Sequence, residues 1–290
     1  MTLHVTFWGT RGSSPTPGHR TRIFGGNTSC VSVESDDQVF ICDAGTGMRD
    51  FGMRLMREKR SPIEGHLFIS HSHWDHIQGF PFFMPVYIPG NTLHVYDPAG
   101  RERRVYDLLS GQMRGDYFPV DFSSLNANIL PDRLEETGRT IGQVHVSSMM
   151  LNHPGGSFAY RFDKGDQRVV YATDNEIDTE LDTELDSSLP RDIPERFVEF
   201  ARGADLLIAD AQYTEEEYPS KRGWGHSRVF TAVDFAIAAE CKQLALFHHD
   251  PMHSDAEVQQ IESAARERVA SRGSELVVFA AREGLELRYS

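Results

Sequence analysis

The feature that most constrains this chain is the six-residue segment His-Ser-His-Trp-Asp-His at 71–76, which contains three imidazoles and one carboxylate. It directly follows the apolar run 67–69, which we expect to belong to a buried strand over 67–70. Because side chains alternate along a strand, the first two histidines leave its end on one side, and the following turn brings the aspartate and the last histidine beside them. These groups hold zinc, iron and manganese in proteins. A His-rich surface loop is the alternative, but this density favours a metal site.

Further candidate ligands follow apolar runs elsewhere in the chain. His153 lies between two segments that alternate like strands, Asp174 follows the run 169–172, and His248 and His249 follow the run 244–247. Taken singly, they have ordinary explanations as a turn residue, a cap and a solvated side chain. Together they are explained if several strands end at one edge and bring these residues to the 71–76 motif.

Strands and helices are interleaved along the sequence. Period-two or continuous apolar runs predict strands at 3–8, 30–34, 38–42, 143–147, 157–162, 168–172 and 205–209, with Asp36-Asp37 as a hairpin turn. Thr46 is predicted to cap a helix beginning near Met48, and Pro194 to open a short helix that Gly203 closes. Ser254 and Glu257 form the signature of a capping box for a helix that ends near Gly273.

With these residues the chain resembles the metallo-β-lactamase-fold hydrolases. It is most similar to their phosphodiesterase branch, which includes ribonuclease Z and related cyclic-nucleotide phosphodiesterases. Besides the ligand residues, the resemblance is carried by the segments 7–12, 25–29, 41–47 and 225–227, and it extends from residue 6 to about residue 254. It implies an α/β fold with layered sheets and helices, the αββα sandwich, formed by a single domain over 1–290.

The resemblance also implies a centre with two divalent metal ions. Zn²⁺ suits the histidine-rich ligands, and Mn²⁺ or iron occupies similar sets. Asp43 is expected to support the ligands from outside, and the position of the histidine in the family favours His248 over His249. The ligands of the first ion, those of the second ion and the bridging ligand are, in this order, His71, His73 and His153; Asp75, His76 and His248; and Asp174.

A catalytic group is implied beside the metals. His226 lies where ribonuclease Z-like enzymes keep a general acid, and Asp210 is expected to orient its ring. Asp75, besides being a metal ligand, is also predicted to be a catalytic residue. The alternative for His226 is a structural role at the start of a helix. The alternative for Asp210 is a structural role at the end of a buried strand. Asn27, Phe82 and His249 are predicted substrate contacts.

Four aromatic residues flank the metal motif, and one or two of them could stack on a nucleobase. Packing in the core is their alternative, as a simple turn is for the Gly25-Gly26 pair. These aromatic residues are Trp74, Phe80, Phe82 and Phe83.

The charge of the chain bears on the substrate. With 43 acidic and 29 basic residues among 290, the formal net charge is −14, and the basic residues cluster only at 101–104. Such a balance repels polyanions, and the sequence shows no Gly/Pro-rich arm of the kind with which ribonuclease Z enzymes grip tRNA. We therefore expect a small anionic phosphodiester, foremost a cyclic nucleotide, and no extended nucleic acid. RNA cleavage of the ribonuclease Z kind and a non-catalytic metal- or ligand-binding accessory role are the alternatives.

Location and assembly are expectations of the same kind. No signal-like segment and no apolar run long enough for a bilayer is present, and three scattered cysteines suit a reducing compartment. We therefore expect a cytoplasmic protein with no membrane partner. The segment 97–142 is too apolar for a flexible linker, so it is predicted to be a packed insertion that forms a lid or a dimer contact, or else a plain connecting helix and loop. The resemblance favours a homodimer.

Overall fold

A computed structural model describes residues 2–35, 38–60, 62–98, 104–135, 137–181 and 189–290. The predicted hairpin turn at Asp36-Asp37 and residues 101–103 of the basic cluster lie outside these ranges. The strands are β1 (Leu3–Gly9), β2 (Cys30–Ser35), β3 (Gln38–Cys42), β4 (Glu64–Phe68), β5 (Thr92–Pro98), β6 (Asn128–Leu134), β7 (Arg139–Ile141), β8 (Val144–Leu151), β9 (Ser157–Lys164), β10 (Gln167–Ala172), β11 (Leu206–Asp210), β12 (Gln243–Phe247), β13 (Val277–Ala280) and β14 (Glu286–Tyr289). The helices are α1 (Met48–Arg57), α2 (Trp74–Ile77), α3 (Arg104–Gly111), α4 (Glu195–Ala201), α5 (Val229–Ala238) and α6 (Asp255–Ser271).

Two sheets of seven strands face each other across an apolar layer. Their strand orders are β14-β1-β2-β3-β4-β5-β6 and β13-β12-β11-β10-β9-β8-β7. Phe40 and Phe68 from the first sheet pack against Phe162 from the second. Helix α1 covers the outer face of the first sheet, and α4, α5 and α6 cover the outer face of the second. The predicted αββα sandwich is confirmed.

Parallel strands in each sheet end at the edge where the candidate ligands lie. Strands β3, β4 and β5 are parallel in the first sheet, as are β10, β11 and β12 in the second. Nearly all side chains of β3, β11 and β12 are buried on both faces, which is why these strands read as apolar runs. Asp43, Asp174 and His248 follow such strands within two residues, with φ values of 61°, 57° and 61°. Left-handed backbone at a non-glycine residue is strained and concentrates at functional sites.

Three local predictions can be compared with the structure. Strand β4 ends at Phe68, before the predicted end at Ser70, because the backbone N–H of Ser70 donates to the Asp43 carboxylate (2.6 Å). Thr46 does not cap α1, since its hydroxyl accepts a hydrogen bond from the backbone N–H of Thr28 (2.9 Å). The capping box of Ser254 and Glu257 is confirmed at the start of α6.

The segment 97–142 contributes to both sheets in its described part. Val105 and Leu109 of α3 are buried with Met113 on the outer side of the first sheet. Strand β6 extends the first sheet, and β7 lies at the edge of the second. A lid or a contact between copies at this segment stays a prediction. Among the helices of the described ranges, none is both long and apolar enough to cross a membrane.

Candidate metal centre and catalytic site

The seven predicted ligands converge at one edge of the sandwich. They come from the loop after β4, from α2, and from the loops after β8, β10 and β12. Six of them are buried, and His73 is exposed. The ligand atoms form two neighbouring groups, within each of which they lie no more than 4.8 Å apart: His71, His73 and His153; and Asp75, His76 and His248.

Asp174 lies between the two groups. Its Oδ1 is 3.6 Å from Nε2 of His71 in the first group. Its Oδ2 is 3.3 Å from Nε2 of both His76 and His248 in the second. One carboxylate oxygen therefore faces each group, as the expected bridging role requires.

Hydrogen bonds from Nδ1 of His76 and of His248 orient the two imidazole rings so that their Nε2 atoms face the centre of the site. Nδ1 of His76 donates to Oδ2 of Asp43 (2.7 Å), and Nδ1 of His248 donates to Oε1 of Gln212 (2.8 Å). A neutral imidazole carries one ring proton, so both Nε2 atoms keep a lone pair. These two atoms are only 3.2 Å apart. Two lone pairs at this distance repel each other unless a cation lies between or beside them.

The first group has the same character. Nδ1 of His153 donates to the carbonyl of Gly225 (2.9 Å), which leaves its Nε2 facing Nδ1 of His73 at 3.2 Å. Nε2 of His71 is buried and has no hydrogen-bond partner among the described residues. Both groups therefore fit a divalent metal ion.

The protonation states also suit metal binding. Burial raises the pKa of Asp75 and of Asp174, but the surrounding histidines outweigh burial and hold both pKa values well below their usual range. Burial and the neighbouring His76 lower the pKa of His71 well below its ordinary value. Burial lowers the pKa of His76 as well, but the carboxylates around it prevail and raise it. Anionic carboxylates and neutral imidazoles are the forms that bind metals, so a metal ion at His76 would replace the proton that the raised pKa of this ring favours, and the same carboxylates attract that cation.

The candidate general acid lies beside the metal ligands, just before α5. Nδ1 of His226 donates to Oδ2 of Asp210 (2.7 Å), at the end of β11. The ring of His226 stacks on that of His248 with centroids 4.9 Å apart. Burial lowers the pKa of His226, but the charge and hydrogen bond of Asp210 outweigh burial and raise it to about 9. A proton is therefore available on this ring at neutral pH.

Asp43 holds the metal motif from outside, where the resemblance places a supporting residue. Its carboxylate accepts hydrogen bonds from the Ser70 backbone, from the Tyr171 hydroxyl (2.7 Å) and from His76. The contact to Tyr171 crosses from the first sheet to the second. Asp43 therefore fixes the His76 ring relative to both sheets.

The predicted substrate contacts differ in their surroundings. His249 is 2 % exposed, and its Nε2 donates to the carbonyl of Ala281 (2.8 Å). This bond gives the buried ring a structural partner, and the substrate contact of His249 stays a prediction. Asn27 donates its side-chain amide to Glu283 (3.1 Å). Phe82 is exposed and stays a candidate contact.

The other aromatic residues near the motif fall into two kinds. Phe80 and Phe83 are buried in the core beneath α1, as the structural alternative had it. Trp74 is exposed at the start of α2.

Two supporting residues were missed by the sequence reasoning. Gln212 orients His248, and its place just after β11 is the same strand-end context that identified the ligands. Glu176 accepts hydrogen bonds from the backbone N–H groups of Gly223 and Gly225, both at 2.7 Å. No local pattern marks Glu176, because its partners lie more than 40 residues away in sequence.

Comparison with known proteins identifies the family. The sequence pattern described as "Beta-lactamase superfamily domain" matches residues 39–249. The chain belongs to the beta-lactamase superfamily. Its relatives include the ribonuclease Z of Haloarcula marismortui, which is 24 % identical over 99 % of this chain and 97 % of that one. Other archaeal relatives in this superfamily carry the same name.

Solved structures of the superfamily share the fold. The metallo-beta-lactamase fold protein YhfI from Bacillus subtilis superposes with a TM-score of 0.68 and 17 % identity over 100 % of both chains. The short form of human tRNase Z superposes with a TM-score of 0.64 and 19 % identity over 98 % of both chains.

These relatives confirm one prediction and overturn another. The predicted enzyme class is confirmed: this superfamily member is a metal-dependent phosphodiester hydrolase. The expectation that no extended nucleic acid is a partner is wrong, because the relatives are ribonucleases. That expectation relied on the net charge of −14. Net charge averages over the whole surface, whereas bound cations set the local charge at a metal site.

Proposed function

We propose that this protein is an RNA phosphodiesterase of the ribonuclease Z kind. The observation that carries the proposal is the convergence of two metal-ligand groups on the His226–Asp210 pair. The proposal is supported by relatives named ribonuclease Z that align over nearly the whole chain.

The two ligand groups would hold two divalent ions, with Asp174 shared between them. Zn²⁺ is the ion we propose, since the five imidazoles and two carboxylates of the two groups are typical zinc ligands. When bound, such ions supply positive charge for the phosphoryl oxygens and lower the pKa of a water to near neutrality.

The chain's own residues complete the reaction. A water that has released one proton to solvent adds to phosphorus as hydroxide, the bond from phosphorus to the leaving oxygen breaks, and that oxygen needs a proton to become a hydroxyl group. His226 would donate this proton from its ring. Asp210 holds the ring by its Nδ1 and stabilises the positive charge that the ring carries before transfer.

A cyclic nucleotide is the second candidate substrate. It is a small phosphodiester that the same groups could cleave, and it needs no broad basic surface on a chain with a net charge of −14. The two candidates differ in whether unpaired RNA beyond the cleaved bond contributes to binding.

The test compares substrates for one metal-loaded preparation. We would measure turnover of an RNA hairpin with an unpaired 3′ extension, of 2′,3′- and 3′,5′-cyclic nucleotides, and of bis(p-nitrophenyl) phosphate. The proposal predicts that kcat/KM is highest for the RNA. Preferential turnover of a cyclic nucleotide would replace the proposal with the second candidate, and no cleavage of any of them would contradict both.

A further inference from the structure

Two tryptophans are exposed near the candidate metal centre. Trp74 is 64 % exposed and Trp224 is 57 % exposed. The third tryptophan, Trp8, packs against Phe51 and donates its indole N–H to Ser32 (2.9 Å). A large aromatic side chain left in solvent forgoes the burial that usually makes it stabilising, so two beside one site require an explanation.

Both exposed tryptophans are next to residues that contact His153. Trp74 follows His73, whose Nδ1 lies 3.2 Å from Nε2 of His153. Trp224 precedes Gly225, whose carbonyl accepts the hydrogen bond from Nδ1 of His153 (2.9 Å). The two chain segments therefore meet the same imidazole at its two nitrogens, with an exposed indole on each segment.

The segment that carries Trp224 is held firmly. The buried carboxylate of Glu176 accepts hydrogen bonds from the backbone N–H groups of Gly223 and Gly225, the neighbours of Trp224 on either side. It also accepts one from the Tyr218 hydroxyl (2.8 Å). An aromatic ring on a fixed segment loses little conformational freedom when a ligand binds.

Positive charge accompanies this ring. Nζ of Lys221 lies 4.2 Å from the ring centroid of Trp224, and Arg222 beside it is exposed. Basic side chains interleaved with aromatic rings are the combination with which proteins bind single-stranded nucleic acid: the rings stack on bases and the cations meet the phosphates. Lys221 and Arg222 thus place two positive charges next to this ring on a chain whose net charge is −14.

We propose that Trp74 and Trp224 form a stacking platform for unpaired nucleobases flanking the cleaved bond, with Lys221 beside the RNA backbone. This inference rests on the proposed function, because it takes RNA as the substrate. Base–aromatic stacking is tolerant of sequence, since every base has a π-face. The platform therefore selects a single-stranded segment of any sequence.

Binding measurements test the platform separately from cleavage. A fluorescein-labelled single-stranded RNA is titrated with metal-loaded protein carrying His226→Ala, which slows turnover so that binding can be measured before the RNA is cleaved. In this background, Trp74→Ala and Trp224→Ala are each expected to weaken binding about 5- to 150-fold. Trp74→Phe and Trp224→Phe keep a ring and should retain most of the affinity.

Two controls accompany the titration. Val277→Ala truncates an exposed apolar side chain on β13 and should bind RNA like its parent. An abasic sugar-phosphate oligomer of the same length should bind weakly to every variant, because it has no bases that could stack on the indole rings. Thermal unfolding of each variant verifies that the exposed substitutions leave the fold intact.

The outcomes separate this inference from the proposed function. Unchanged affinity in both alanine variants would overturn the platform even if the native protein cleaves RNA. Equal losses in the phenylalanine and alanine variants would also overturn it, since the ring is retained in the first. Tryptophan-dependent binding by a protein that cleaves no RNA would support the platform and reject the proposed function.

Discussion

At the scale of single residues, the geometry of the candidate centre depends on the hydrogen-bond acceptors that hold the ligand imidazoles at Nδ1. His76 and His248 each donate from Nδ1 to an oxygen acceptor, Asp43 in one case and Gln212 in the other. This bond fixes the tautomer and the ring orientation, so the metal-binding nitrogen is set by a residue that does not bind the metal.

Gln212→Leu tests this dependence. It removes the acceptor for Nδ1 of His248 at nearly constant volume, so metal affinity should fall about 10- to 100-fold. Competition with a chromogenic chelator measures this affinity. Gln259→Leu, at an exposed position of α6, is the matched control and should bind metal normally. Equal affinities in the two variants would contradict the account of His248.

His226→Ala tests the general acid. The variant should keep both metal ions, because His226 belongs to neither ligand group, yet its kcat on RNA should fall about 10²- to 10⁴-fold. Metal content and single-turnover rates are measured on the same preparation. Full activity in this variant would remove the general acid from the proposal.

At the scale of elements, the loop before α5 has to approach a ligand very closely. Gly225 has a φ of +94°, and a Cβ there would lie 2.0 Å from Nδ1 of His153. Gly223 has a similar φ of +86°, but a Cβ there would meet no atom within 4 Å. Both glycines therefore have a positive φ, but only Gly225 lies so close to another side chain that it has no room for a Cβ.

The pair makes a matched experiment. Both Gly225→Ala and Gly223→Ala should lose stability through backbone strain, about 1–3 kcal/mol each. Only Gly225→Ala should also displace the His153 ring and reduce metal content and turnover. Urea unfolding and metal analysis measure the two effects. Equal metal loss in both variants would show that strain alone, and not the approach to His153, determines the geometry.

The elements that the sequence could predict are those with local signals. Strand β1 alternates apolar and polar residues, β3 and β11 read as apolar runs, and the capping box of α6 is contained in four residues. The short edge strand β14 escaped prediction because its residues are partly exposed and carry no continuous apolar run. Thr46 was misassigned as a cap because its hydroxyl is engaged by Thr28, 18 residues away.

In the candidate site, too, the sequence predicts the residues that belong to a local motif and misses those whose partners are distant in the chain. The motif at 71–76 is local, and with the family resemblance it leads to the other ligands. Glu176 acts through Gly225, 49 residues further along the chain, so only the folded structure brings them together. The burial of His249 depends on its contact with Ala281, which no spacing in the sequence indicates.

At the scale of the whole molecule, the centre joins the two halves of the sandwich. The first sheet supplies the 71–76 motif and Asp43, and the second supplies His153, Asp174 and His248. Two tyrosine hydroxyl groups of the second sheet donate to residues of the first, Tyr171 to Asp43 and Tyr160 to the carbonyl of Ile69 (2.7 Å). A bound metal would add ligand bonds across the same boundary.

Metal removal should therefore destabilise the whole fold. A ligand present at 100 times its Kd stabilises the native state by about 2.7 kcal/mol per site, and a chelator should abolish this contribution. Calorimetry with and without chelator measures the change in unfolding temperature, and restoring Zn²⁺ should reverse it. The shift should be smaller in Asp75→Ala, in which one ligand group is already weakened. An unfolding temperature that is insensitive to the chelator would contradict metal binding across the two sheets.

The central claim, a metal-dependent RNA phosphodiesterase, is tested most directly by measuring metal content per chain together with cleavage of an RNA hairpin with an unpaired 3′ extension. The account predicts two divalent ions per chain and cleavage that a chelator stops and added Zn²⁺ restores. A chain that binds no divalent ion, or RNA cleavage that persists after the metal has been removed, would contradict it.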